Sequence, residues 1–321
     1  MHQTLKIFLA IVASSFLCLI HNDAQAQYSF KRENNPLVKH IYTADPSARV
    51  FNNRLYVYTS HDEGKAKYFN MLDWYVFSTD NLNDWTDHGP IFSLEQIKWA
   101  KKWAWAPDCV KRRGKYYFYF PVERSKIGVA VSDSPTGPFV DKLEKPLIDN
   151  TNQIELIGEE PIDPAILMDK SNTYLYFGCR KLRVVKLKKN MMEIDGEVMK
   201  LEIKGIENDK ENFGGYYGEG PWVFKRNNLY YLMYSNGWGE KSTLVYAIAK
   251  NPLGPFEFVG EVMDPVDSFT SHGSIIEFNN KWYIFYHDTE LSGKTHLRNV
   301  KVTELKRNAD GSIQMIEPMT K

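Results

Sequence analysis

Residues 43–60 read TADPSARVFNNRLYVYTS, and the pattern returns four more times. The later copies are WAPDCVKRRGKYYFYFP (105–121), IDPAILMDKSNTYLYFG (162–178), GEGPWVFKRNNLYYLMYS (218–235) and SHGSIIEFNNKWYIFYH (271–287). Each is read as an acidic residue or histidine, a polar turn seven or eight residues later, and an aromatic-rich strand. The lead residues are Asp45, Asp108, Asp163, Glu219 and His272, spaced 63, 55, 56 and 53 residues apart. Such a period is too long for a solenoid of simple hairpins. It suits a four-stranded blade, and five blades make an all-β, five-bladed β-propeller. In a radial fold, lead residues at one phase of every blade converge on the axis.

The rest of the chain agrees with that reading. LYVYTS, WYVFST, IGVAVS, TLVYAIA and similar runs are rich in aromatic and β-branched residues, and no long helical periodicity competes with them. Three segments, STDNLNDWTDHGP, VSDSPTGPFVD and AKNPLGPFEFV, join a strand end to a Gly-Pro turn and a new strand. RVVKLKKNMMEIDGEVMKLEI is read as the fourth blade's version, two strands with a turn at Asp195-Gly196. The last blade needs a strand from one terminus to close the ring, from the VKVTELKRNADGSIQMIEP tail or from the first mature residues. Closure removes the open sheet edges that invite aggregation. The stretch 208–218 is the most loop-like and is expected to rim the pocket.

The 40 basic and 40 acidic side chains cancel, which argues against a nucleic-acid partner. At the N-terminus, a short basic region precedes the apolar run IFLAIVASSFLCLI, and Ala24 and Ala26 fit a cleavage rule. The expectation is a signal peptide at 1–26, then a single catalytic domain at 27–321, secreted or periplasmic. The apolar run is too short for an ordinary membrane span, and no other run could cross. Cys109 and Cys179 are read as buried thiols, with a bridge between them as the alternative. Nothing suggests zinc. Oligomeric state is left open.

Carboxylates set among apolar residues are costly unless paired or hydrogen-bonded. Asp45, Asp108 and Glu219 stand so, each where proline or glycine fixes the backbone. Glycoside hydrolysis needs one carboxyl kept neutral to protonate the leaving oxygen and another kept ionised. A third nearby carboxylate raises the acid's pKa by like-charge repulsion. The alternative for any one such motif is a turn carboxylate capping its own chain.

From about Asn35 to Glu304, TADPS, WAPD, and EGP ahead of LYYLMYS resemble glycoside hydrolase family 43, the five-bladed propeller enzymes that include arabinofuranosidases and xylosidases. The resemblance implies Asp45 as general base, Asp108 as pKa modulator and Glu219 as general acid, with inversion at the anomeric carbon. It implies an axial histidine, matched by His272, beside a structural calcium or a water cluster. The alternative is a metal-free hydrogen-bonding His272. No cofactor is needed for the chemistry. Arg298 resembles the family arginine that reaches the terminal sugar. Asp163 has no central proton-transfer task there and is expected to orient the sugar or to meet His272 through water. Trp105, Tyr217 and Trp222 are candidate sugar-stacking residues, with Tyr216 and Trp238 also placed in loops.

The substrate this implies is an oligosaccharide or polysaccharide of plant or microbial origin. An α-L-arabinofuranosidase is the first choice, with a β-xylosidase or an exo-galactosidase as alternatives. A non-catalytic glycan-binding propeller would not need the complete acidic trio. A fructan hydrolase would open on Asn-Asp-Pro, whereas this chain has Ala44-Asp45-Pro46. A mannoside phosphorylase would need converging basic residues for phosphate.

Overall fold

The computed structural model describes residues 27–206 and 216–318. The expected leader and most of the 208–218 loop lie outside the described residues. The fold is an all-β, five-bladed β-propeller. Blade one holds β1 (Tyr28–Lys31), β2 (Tyr42–Phe51), β3 (Arg54–Asp62), β4 (Asp73–Thr79) and β5 (Asp84–Ser93). Blade two holds β6 (Asp108–Arg112), β7 (Lys115–Val122), β8 (Lys126–Ser132) and β9 (Ile148–Asp149). Blade three holds β10 (Ala165–Asp169), β11 (Asn172–Phe177), β12 (Arg183–Leu187) and β13 (Ile194–Lys200). Blade four holds β14 (Ile203–Lys204), β15 (Glu219–Arg226), β16 (Leu229–Ser235), β17 (Leu244–Ala249) and β18 (Phe256–Glu261). Blade five holds β19 (Gly273–Phe278), β20 (Lys281–Asp288) and β21 (Asn299–Glu304). No described helix is long and apolar enough to cross a membrane.

The innermost strands meet in a closed ring: β2 touches β6, β6 touches β10, β10 touches β15, β15 touches β19, and β19 touches β2. Between each pair of neighbouring blades lies one apolar cluster. The aromatic strands of the repeat supply these clusters. Tyr58, Trp74, Phe118 and Phe120, for example, fill the space between blades one and two. Truncating one such aromatic to alanine removes about 3–5 kcal/mol. Tyrosine hydroxyls also fasten blades together: Tyr58 donates to the Pro135 carbonyl at 2.7 Å and Tyr176 to that of Pro252 at 2.6 Å. Those carbonyls belong to the Gly-Pro turns, which therefore serve the interfaces as well as the chain reversal.

Both termini close the ring. The C-terminal run supplies β21, and residues 35–37 lie along its free edge. There the Leu37 N–H donates to Val300 O at 2.7 Å, and the Asn35 side chain exchanges two 3.0 Å bonds with Val302. β1 pairs instead with β5 of blade one. The expected turn at Asp195-Gly196 does not form. The reversal comes earlier, where Lys188 N–H meets Glu193 O and Met191 N–H meets Lys188 O. Asp195 then pairs with Lys186 inside β13, and the hairpin belongs to blade three rather than four. A bulge between Val184 and Lys186 absorbs the resulting offset.

Candidate active site

The turns set the phase of each inner strand. They fall at Asn52-Asn53, Arg113-Gly114, Lys170, Asn227-Asn228 and Asn279-Asn280, all with positive φ. Asp45, Asp163 and His272 each stand seven residues before their turn, but Asp108 stands only five before Arg113. The phase-matched residue of blade two is Ala106, and the structure places Ala106 on the cavity wall. Two residues along a strand is one pleat deeper on the same face. Asp108 therefore lies one layer down the axis, level with Ser47 and Trp222.

The cavity has a volume of about 240 Å³, and its wall carries Asp45, Asp163, Glu219, His272, Arg298 and Trp105. Asp45 and Asp163 share an unusual backbone, with φ of 54° and 56° and proline next in sequence. Gly220, again followed by proline, has φ 65°. Left-handed non-glycine residues are uncommon, and each costs on the order of 1–3 kcal/mol. The register of β2 slips between Ala44 and Ser47, and that of β15 between Glu219 and Trp222. These bulges turn the strand starts toward the axis. A Cβ on Gly220 would sit 3.3 Å from the His272 ring, so this position needs glycine for space as well as for φ.

Asp45 is held from four sides. Its Oδ1 accepts Arg298 Nη1 at 2.9 Å, its Oδ2 accepts the Ser60 hydroxyl at 2.6 Å, and its N–H donates to His287 Nδ1 at 3.1 Å. His272 Nδ1 lies 3.9 Å from Oδ1. Burial alone would raise the Asp45 carboxyl, but Arg298, helped by the two histidines and Ser60, holds it down at about 2. Arg298 is fixed by Asp62, whose oxygens accept its Nε at 3.0 Å and Nη2 at 2.8 Å. Burial and the Arg298 charge push His287 down to about 3. It is neutral, takes the Asp45 N–H at Nδ1, and so donates from Nε2 to Thr270 O at 3.0 Å.

Glu219 and Asp163 behave in the opposite way. Burial pushes Glu219 up to about 7; a hydrogen bond from Trp238 opposes the rise and the Asp45 charge adds to it. Asp163 is raised well above the usual carboxylate range by burial and then by the charges of Glu219 and Asp45, although its Oδ2 accepts the Gly220 N–H at 3.0 Å. The two carboxyls titrate as a pair, and the pair retains a proton near neutrality. The cavity thus sets an ionised Asp45 across from a protonated couple.

Three expected site residues lie elsewhere. Asp108 is fully buried below the cavity and accepts five hydrogen bonds, from Ser47 Oγ, Arg49 Nε and Nη2, and the N–H groups of Cys109 and Ile166. The carboxyl that stands with Glu219 is Asp163. Trp222 sends its indole N–H to Ile275 O at 2.9 Å and lies under the Arg49 guanidinium at 4.2 Å. Tyr217 is buried with its hydroxyl on Gly178 O at 2.7 Å. Both pack blades. Trp105 and Trp238 line the cavity. The sequence reading missed Asp62, Phe69, Arg124, Glu160, Arg180 and His287. For Asp163 a signal existed: Ala44-Asp45-Pro46 and Ile162-Asp163-Pro164 share Asp before Pro, whereas Ala106-Pro107-Asp108 reverses it. Cys109 and Cys179 are free thiols.

His272 reaches the cavity as a neutral imidazole, lowered by burial. Its Nδ1 is 3.9 Å from Asp45 and from Asp163. Calcium takes six to eight oxygens. The charge of the cavity suits a cation, with His272 as one ligand and waters supplying most of the others. Among the described residues, the group with ligand atoms within 4.8 Å of one another is His61, Glu63 and Asp73 on blade one.

The sequence model of glycosyl hydrolases family 43 matches residues 34–313. A xylosidase/arabinosidase from Humicola insolens is 37% identical, over 88% of this chain and 99% of its own length. One from Bacteroides ovatus is 36% identical, over 89% and 98%. A β-xylosidase/α-arabinofuranosidase from a compost metagenome, solved with xylotriose in a calcium-free form, superposes with a TM-score of 0.79. It is 36% identical, over 92% of this chain and 100% of that one.

Proposed function

The chain belongs to glycosyl hydrolases family 43 and is a glycosidase, and we propose that it releases single pentosyl units, β-D-xylosyl and α-L-arabinofuranosyl, from the ends of plant-derived oligosaccharides with inversion. The observation that carries the reading is the cavity's pairing of Asp45, held ionised, with Glu219, held protonated up to about 7. The names of these relatives support both pentoses, so xylose joins arabinose in place of the arabinose-first expectation. The end-of-chain reading is supported by the floor: Arg49, Asp108 and Trp222 fill the axis below the cavity.

In this reading, Asp45 takes a proton from water as the water oxygen bonds to the anomeric carbon. The glycosidic C–O bond breaks, and Glu219 passes its proton to the leaving oxygen. Arg298 keeps Asp45 ionised and aimed. Burial and the charges of Asp45 and Glu160 keep Glu219 protonated, and Asp163, itself raised by the Glu219 charge, titrates with it. A calcium ion held by His272 and waters would steady the negative cavity, and no proton moves through it. The leader read at 1–26 supports export to the periplasm or medium, which N-terminal sequencing of exported protein beginning at Gln27 would test; retention in the cytosol would count against it.

Purified protein should hydrolyse 4-nitrophenyl β-D-xyloside and α-L-arabinofuranoside. Proton NMR of the first product should show the inverted anomer. Activity on galactosides alone, or a retained anomer, would overturn the reading.

A further inference from the structure

One arc of the cavity wall lies on the Glu219 side and has no task in the steps above. It is built from Trp105, Arg124, Glu160, Arg180 and Trp238, all of which face the cavity. At its centre Glu160 Oε2 accepts Arg124 Nε at 2.9 Å and Nη2 at 2.6 Å, while Oε1 accepts Arg180 Nη1 at 3.4 Å. Each arginine also lies over an indole: Arg124 is 5.8 Å from the Trp105 ring and Arg180 is 5.0 Å from Trp238. Trp238 in turn hydrogen-bonds Glu219.

The backbone fixes the arc as firmly as the side chains do. The Cys179 N–H donates to Glu160 O at 3.1 Å, and the Arg180 N–H donates to Gly218 O at 2.6 Å. Glu160, Arg180 and Glu219 are therefore tied through three consecutive hydrogen-bonded segments of blades three and four. Ion pairs as open as these add little to stability, because solvent screens them. Arg180 and Arg124 keep 59% and 39% of their side-chain surface exposed. What such a cluster supplies is shape, since a guanidinium stacked on an indole and forked to a carboxylate has few other places to go.

The acid delivers its proton to the leaving oxygen, so the sugar on that oxygen must sit beside Glu219 and this arc. We propose that Glu160 is a positioning residue of the leaving-group side, holding Arg124 and Arg180 against Trp105 and Trp238 as the wall that receives the neutral sugar next to the bond being cut. The proposal rests on the glycosidase reading. Indoles offer the sugar an apolar face to stack on, and the guanidinium edges offer donors to its hydroxyls. The Glu160 carboxylate also adds to the charges that keep Glu219 protonated.

The test compares xylobiose with 4-nitrophenyl β-D-xyloside in the full-length protein and in Glu160→Gln and Arg180→Met. Both variants should lower the ratio of kcat/KM for xylobiose to that for the aryl xyloside by roughly 10-fold, chiefly through KM. Glu160→Gln should also move the alkaline limb of the rate profile toward acid. Arg180 is exposed enough for its variant to fold, so the comparison survives if Glu160→Gln does not. An unchanged ratio in a folded variant overturns the positioning role alone. A wild-type protein inactive on both substrates overturns the glycosidase substrate reading itself.

Discussion

Arg49 grips Asp108 across the axis, Nε to Oδ1 at 2.9 Å with Nη2 on Oδ2, one layer beneath Asp45 and Asp163. The same guanidinium reaches Ile166 O at 2.9 Å and covers Trp222. Removing one partner of such a pair leaves the other charged and buried. We therefore expect Asp108→Asn to act on stability, lowering it by about 3–5 kcal/mol. Urea unfolding at neutral pH measures this. A variant as stable as wild type, with a shifted rate profile, would return Asp108 to the chemistry.

Asp163 is where the chemistry should respond. With Asp163→Asn the pair becomes a single carboxyl, so the kcat/KM profile should lose one of its two titration steps and turnover should fall by roughly 10²–10⁴-fold. Asp45→Asn should lose at least as much on every substrate, because no ionised base remains. Were Asp163→Asn to leave the pH profile in place, the coupling of Asp163 to Glu219 would be wrong.

Glu219→Gln separates acid catalysis from stability. Turnover should drop most for poor leaving groups and less for nitrophenyl glycosides. Glu219 has a folded pKa raised above its unfolded value, so its contribution to stability is fully present below about 4.3 and is lost as pH rises through about 7. At pH 8 wild type must ionise a buried carboxyl that glutamine lacks. The variant should then be more stable by roughly 1–3 kcal/mol, with the gap closing by pH 4.5. Melting curves at both pH values decide it; a variant destabilised equally at each would contradict the buried, protonated acid.

Calcium added at about millimolar concentration to chelator-treated protein should raise the melting temperature, because only the native state assembles the ligands. His272→Ala should abolish the rise. An equal rise in wild type and variant would move the ion to the His61, Glu63 and Asp73 group.

How far the sequence alone reached is visible in particular residues. The five copies of lead residue, turn and aromatic strand are local, and local periodicity determined the blade, the number of blades and the inward position of Asp45, Glu219 and His272. The closing strand was legible only as a choice between the VKVTE tail and the first mature residues; the tail supplies β21, and residues 35–37 lie along its edge. The Asp195-Gly196 turn was misread because the chain reverses earlier, at 188–193, and a bulge then shifts the β13 register by two residues; nothing in a dipeptide reports the register of its partner strand.

Depth along the axis was settled in three dimensions, with only the order of aspartate and proline to mark it in the sequence. Asp108 and Asp163 look alike in sequence, each a carboxylate beside proline in an apolar setting. A difference of two residues from the turn puts one under the cavity floor with Arg49 and the other beside Glu219. The partners that set the charges, Asp62 on Arg298 and His287 on Asp45, lie 236 and 242 residues away in sequence. The sequence determined which groups could ionise; the folded chain decided which of them do, because burial and a neighbour's charge exist only once distant strands share an axis.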